Sequence, residues 1–125
     1  MSTQTLLQAS LATTGVRPGT IYIAGPMTGR PNYNYDAFAS AAAHLRGLGY
    51  TVASPHEIDF GEDTPGTQPY PVYIKGGLDL LLKCDSICLL PGWPKSKGAM
   101  LELNTAVAAG MTVLLYDSEH GLLLP

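Results

Sequence analysis

A three-layer α/β fold, with a parallel sheet of four to five strands and helices on both faces, is predicted by three observations on the 125-residue sequence. Short apolar runs alternate with longer stretches whose apolar residues recur at helical spacing. Each short run is continuously apolar or β-branched, as in strands buried on both faces. Segments rich in Gly and Pro (14 and 10 residues in all) separate the runs, where they can shape loops. Strand–helix alternation then implies right-handed crossovers and a parallel sheet.

The four clearest strands are residues 20–24 (TIYIA), 51–53 (TVA), 86–90 (SICLL) and 112–116 (TVLLY). Between the first two, Phe38, Ala41, Ala42, Leu45 and Leu48 mark a helix over 35–48, with Asn34 as N-cap and Gly49 at its end. Residues 72–83 form the second helix, with Ile74, Leu78, Leu81 and Leu82 on its stripe. The third covers 98–109 and stops at Gly110. Together these elements give a Rossmann/flavodoxin-like plan, in which functional groups gather at the carboxyl ends of the strands near a topological switch point. The segments after the strands, GPMTGRPNYN, SPHEIDFGEDTPGTQPYP and PGWPKSKG, are indeed the most polar and Gly/Pro-rich. Residues 1–19 read as an N-terminal extension with scope for flexibility, and 20–125 as a single domain.

Composition narrows the function. Charged residues make up 14% of the chain and the net charge is -3, against a usual charged share of about 25%. That excludes a duplex nucleic-acid binder, which needs a basic face, and points to surface covered by another subunit. No apolar stretch reaches the roughly 20 residues that span a bilayer, and the first residues lack the pattern of a secretory signal. Cys84 and Cys88 stand in a C-x3-C spacing that fits neither a redox pair nor a zinc site. The expectation is a cytoplasmic protein without membrane association, metal or cofactor.

Three places could carry chemistry. Gly25-Pro26-Met27-Thr28-Gly29 follows the first strand directly; glycines there let backbone approach a ligand, or simply make a tight turn. Pro91–Gly98 ends a buried strand and opens a helix, so its amides, Ser96 and two lysines suit a phosphate; Ser96 could equally be a plain N-cap. Glu102, one turn into that helix among Leu101, Leu103 and Ala106, is an acid that must be paired or functional. Asp79, flanked by apolar residues, is either an exposed helix position or a proton donor with a raised pKa. His56 follows the second strand, and Tyr22 could be core or could reach a carboxylate. Two acids beside a phosphate cradle suit glycosidic cleavage, in which one carboxylate attacks the anomeric carbon and a second acid assists the leaving group.

With Ile21-Tyr-Ile-Ala-Gly-Pro-Met-Thr-Gly29, Asp79 with Cys84-Asp-Ser-Ile87, and Ser96-x-Gly98-x-x-x-Glu102 in this order, the chain resembles the nucleoside 2-deoxyribosyltransferase superfamily. The likeness extends to its deoxynucleoside 5'-monophosphate N-glycosidases and is nearest the small phage and bacterial members. The resemblance implies that Glu102 is the nucleophile at C1', that Tyr22 orients it and that Asp79 assists as an acid. It implies further that Ser96 and Gly98 hold a 5'-phosphate and that Gly25, with Pro26 and Met27, lies along the substrate. Trp93 and His56 are candidates to contact the base. The expected activity is hydrolysis or transfer of the N-glycosidic bond of a (deoxy)nucleoside 5'-monophosphate. Leu-Pro-Gly followed by Gly98 and Glu102 also resembles base-releasing phosphoribohydrolases, and a non-catalytic nucleotide-binding or sensing module would use the same cradle. The partner is a small nucleotide or nucleoside, and a homo-oligomer of two or more chains is expected.

Overall fold

The computed structural model describes residues 19–119 and 121–123. Most of the expected extension, residues 1–18, and His120 lie outside the described residues. In chain order come β1 (Thr20–Ala24), α1 (Tyr35–Gly47), β2 (Thr51–Ala53), α2 (Tyr70–Leu81), β3 (Ser86–Leu89), α3 (Lys97–Ala108), β4 (Thr112–Asp117) and β5 (Gly121–Leu123). The five strands form one sheet in the order β2-β1-β3-β4-β5. β1 through β4 are parallel, with Ile21 opposite both Val52 and Ser86, and Ser86 opposite Thr112. β5 returns antiparallel on β4, Tyr116 facing Leu122. The sheet is therefore mixed rather than wholly parallel, because only a short turn separates β4 from β5 and a parallel return needs a long crossover.

Side-chain alternation along β1 splits the core into two layers. Ile21 and Ile23 join Phe38, Ala41, Ala42 and Leu45 of α1 on one face. Tyr22 and Ala24 join Ile87, Leu89, Leu81 of α2 and Ala106 of α3 on the other. Cys88, fully buried in the α1 layer, behaves as a small hydrophobe, and burial pushes its thiol up to about 12. Asp85 acts as a turn residue: its carboxylate accepts the Thr20 N–H at 2.9 Å, tying the start of β1 to that of β3.

The chain runs from β1 outward to β2 and then crosses back to β3 on the other side. The switch point between β1 and β3 is where doubly wound sheets open a crevice at the strands' carboxyl ends. Gly25 allows the two to close at that point. A Cβ on it would stand 2.8 Å from the Cβ of Leu90, so only glycine lets the β1 loop lie against the end of β3.

Candidate active site

A cavity of about 630 Å3 opens at this switch point, within the range of small-molecule sites. Its floor is Glu102 on α3 and Tyr22 on β1. The Tyr22 hydroxyl donates to Glu102 Oε2 in a short buried bond. Both are held by the core layer around them: Tyr22 is fully buried and Glu102 is 8% exposed. Burial raises the Glu102 carboxyl to about 7, the Tyr22 hydrogen bond working in the opposite direction. Tyr22 itself is pushed well above the usual phenol range, first by burial and then by the Glu102 charge. The pair is thus a carboxylate about half ionised at neutral pH and a phenol that keeps its proton.

Around this floor the walls fall into two chemical kinds. Tyr33, Tyr35, Tyr70 and Tyr73 supply aromatic surface, and Arg30, Lys95 and Lys97 supply positive charge. Among the described lining residues Glu102 is the sole carboxylate. Three cations facing one acid make the cavity suited to an anion-bearing ligand.

Gly25, Pro26, Met27, Ser96, Gly98, Tyr22 and Glu102 all line the cavity, so the structure brings together the first loop, the third loop and the α3 acid. Ser96 is also an N-cap, its Oγ accepting the Ala99 N–H at 3.1 Å. Three expected residues lie elsewhere. Asp79 is exposed and does not line the cavity. Successive helical residues are turned by 100°, so Asp79 sits 200° from Gly77, the α2 residue that faces the pair. A Cβ on Gly77 would stand 2.8 Å from Glu102 Oε2 and 2.9 Å from the Tyr22 hydroxyl. Trp93 packs instead against the second core layer. His56 lies behind the wall, its ring edge-on to Tyr35 at 5.9 Å and its Nδ1 2.5 Å from Ser54 Oγ.

Sequence reasoning missed the tyrosine wall. Tyr33 belongs to a run, Asn32–Asn34, in which three non-glycine residues have φ of 49° to 60°, a conformation uncommon even singly. Asn34 secures the run by donating its side-chain amide to the Pro26 carbonyl at 2.9 Å. The signal available was compositional: Asn residues alternate with Tyr in PNYNYD, and Asn tolerates the left-handed region better than most. Tyr73 arrives from α2 and is fixed by Glu62 and by the Gln68 N–H, at 2.5 and 2.8 Å.

A family model described as a domain of unknown function (DUF4406) matches residues 19–115, from the start of β1 into β4. The chain belongs to this family. No curated protein matches it. Two solved structures share the fold of this DUF4406 chain. One is a 2-desoxiribosyltransferase from Leishmania mexicana (TM-score 0.59, 22% identity), covering 79% of this chain and 64% of its own. The other is a 2-deoxyribosyltransferase from the psychrotolerant bacterium Bacillus psychrosaccharolyticus (TM-score 0.59, 24% identity), covering 77% of this chain and 70% of its own. The DUF4406 chain thus spans less than two thirds of the length of the Leishmania enzyme. No helix among the described residues is long and apolar enough to cross a membrane.

Proposed function

We propose that this protein cleaves or transfers the N-glycosidic bond of a nucleoside 5'-monophosphate, with Glu102 as the nucleophile at C1'. The observation that carries this reading is the Glu102–Tyr22 pair on the floor of a cavity walled by cations and aromatic rings. A buried carboxylate with an oriented hydrogen bond is what attack on an anomeric carbon requires. Tyr22 holds Oε2, leaving Oε1 to form the bond. The phosphate falls to Ser96, Gly98 and the neighbouring cations at the start of α3, where backbone amides and helix dipole favour an anion. Gly25, Pro26 and Met27 lie along the sugar. The fold shared with two deoxyribosyltransferases supports the assignment without fixing the acceptor or the base.

Incubation of the full chain with a panel of nucleoside 5'-monophosphates, with free base followed by chromatography, is the direct experiment. Base release that disappears in Glu102→Gln is the expected result. Tight binding with every nucleotide recovered intact would refute catalysis and leave a sensing module. Release undiminished by Glu102→Gln would refute the role given to that residue.

A further inference from the structure

Cleaving an N-glycosidic bond leaves the bonding electron pair on the ring nitrogen of the base. A neutral purine or pyrimidine needs a proton at that moment, and general-acid assistance is worth about 10²- to 10⁴-fold. The cavity has Glu102 as its only described carboxylate, and one group cannot attack C1' as an anion while donating a proton. On α2 the position facing the reacting pair is Gly77, and even a Cβ would come within 2.9 Å of Tyr22 and Glu102. A second acid therefore has no room there. Asp79 is exposed outside the cavity. Glu62 is occupied by the Tyr73 and Thr67 hydroxyls, and these bonds, the Tyr73 one first, hold its carboxyl low, so it stays ionised. Tyr22 already donates to Glu102, so no carboxylic acid stands beside the pair, and the donors left in the walls are phenols and lysines, which are far weaker acids than a carboxyl.

We infer that the substrate is a nucleotide whose base is already cationic, a pyridinium-type N-glycoside, which needs no proton to leave. This deepens the Glu102 reading and rests on it. The step balances without an acid. A Glu102 carboxylate oxygen bonds to C1' as the C1'–N bond breaks, and the electron pair neutralises the ring nitrogen, so the base departs as a neutral molecule. Water then attacks C1', freeing the Glu102 carboxylate and releasing one proton to solvent. The net reaction is nucleotide plus water to sugar 5-phosphate, neutral base and one proton. The walls fit this charge distribution. The phenol rings of Tyr33, Tyr35, Tyr70 and Tyr73 line the cavity, and aromatic rings attract a cation, while Arg30, Lys95 and Lys97 in the same lining are the cations available to the phosphate.

The test compares nicotinamide mononucleotide with AMP, its ribose-matched neutral-base counterpart, and with dAMP, using the full chain and Glu102→Gln. Circular dichroism would verify that the variant folds. Free base is measured by chromatography and protons by a pH indicator. The expected result is a kcat/KM for the pyridinium nucleotide at least about 100-fold above both controls, matching the assistance that a carboxylic acid beside Glu102 would give, with one proton per base released. AMP or dAMP cleaved as fast, with loss of activity in Glu102→Gln, would overturn the inference and leave the Glu102 reading intact. Base released from none of the three while another nucleotide of the panel is cleaved would overturn the inference alone, and release from no nucleotide would overturn both. So would pyridinium cleavage undiminished in Glu102→Gln.

Discussion

Replacing Tyr22 by Phe removes one oxygen from the floor of the cavity, and its consequence can be worked out in advance. Glu102 is raised by burial to about 7, and the Tyr22 hydrogen bond is what opposes that rise. A hydrogen bond to a charged group contributes about 1.5–3 kcal/mol, and 1.36 kcal/mol is one pKa unit. Losing the bond therefore moves the Glu102 carboxyl up by about one to two units. In the proposed mechanism the ionised form attacks, so activity rises with pH through this pKa. At pH 7 the ionised fraction drops from about half to roughly 1–10%, and base release falls about 5- to 50-fold. Above about pH 10 the two proteins converge, because Glu102 is then ionised in both. The assay is the pH dependence of kcat/KM for the substrate turned over fastest. A Tyr22→Phe profile with an unmoved or lowered midpoint, or a rate loss that is equal at every pH, would refute the reasoning.

Other outcomes follow from the same geometry. Because the folded state raises the Glu102 carboxyl from 4.5 to about 7, it binds more protons than the unfolded chain across that interval. Stability therefore falls as pH rises from about 4.5 through 7, by roughly 3 kcal/mol in all, and in denaturant titrations Glu102→Gln should flatten this decline. Gly77→Ala places a methyl 2.8 Å from Glu102 Oε2; base release should fall about 10- to 100-fold through misplacement of the pair, with the helical dichroism retained. Asp79→Asn should leave base release unchanged and stability within about 0.5 kcal/mol, as for exposed positions generally; lost activity would place Asp79 in the chemistry after all.

Much of the fold was legible because strands buried on both faces and helices packed on one announce themselves by different periods. β1 and β2 occupy the expected residues, and α1 and α3 agree to within a residue at each end. β5 was not legible, since Gly121–Leu123 is three residues long and carries no pattern of its own. α2 begins two residues before its expected start, at Tyr70, because Pro69 and Pro71 open the helix. Glu102 was legible as a buried, paired acid because an acid inside an apolar helical stretch must be accounted for. Asp79 shows where that logic stops. Its neighbours are as apolar as those of Glu102, but Leu82, which caps the same helix, is 60% exposed, so apolar flanks did not mark the inward side. The residue that does face the pair, Gly77, has no side chain to attract notice. The tyrosine wall is assembled from separate loops and α2, through contacts such as Tyr73 with Glu62, and sequence spacing carries no record of such meetings.

Tyr22 belongs to two structures at once: it fills the core layer under α2 and α3, and it holds the Glu102 carboxylate. On the proposed function the rest of a ligand meets residues 26–35 and 92–98, which sit on the rim and enter the two layers through Met27 and Trp93. The molecule is therefore divided into a fixed foundation and an exchangeable frame. On the proposed function, substitutions in the frame alter which base or phosphate is admitted, whereas a change to the Glu102–Tyr22 pair is also a change to the protein's stability. A lineage that uses this plan as proposed is free to diversify what it accepts and is constrained to keep how it reacts.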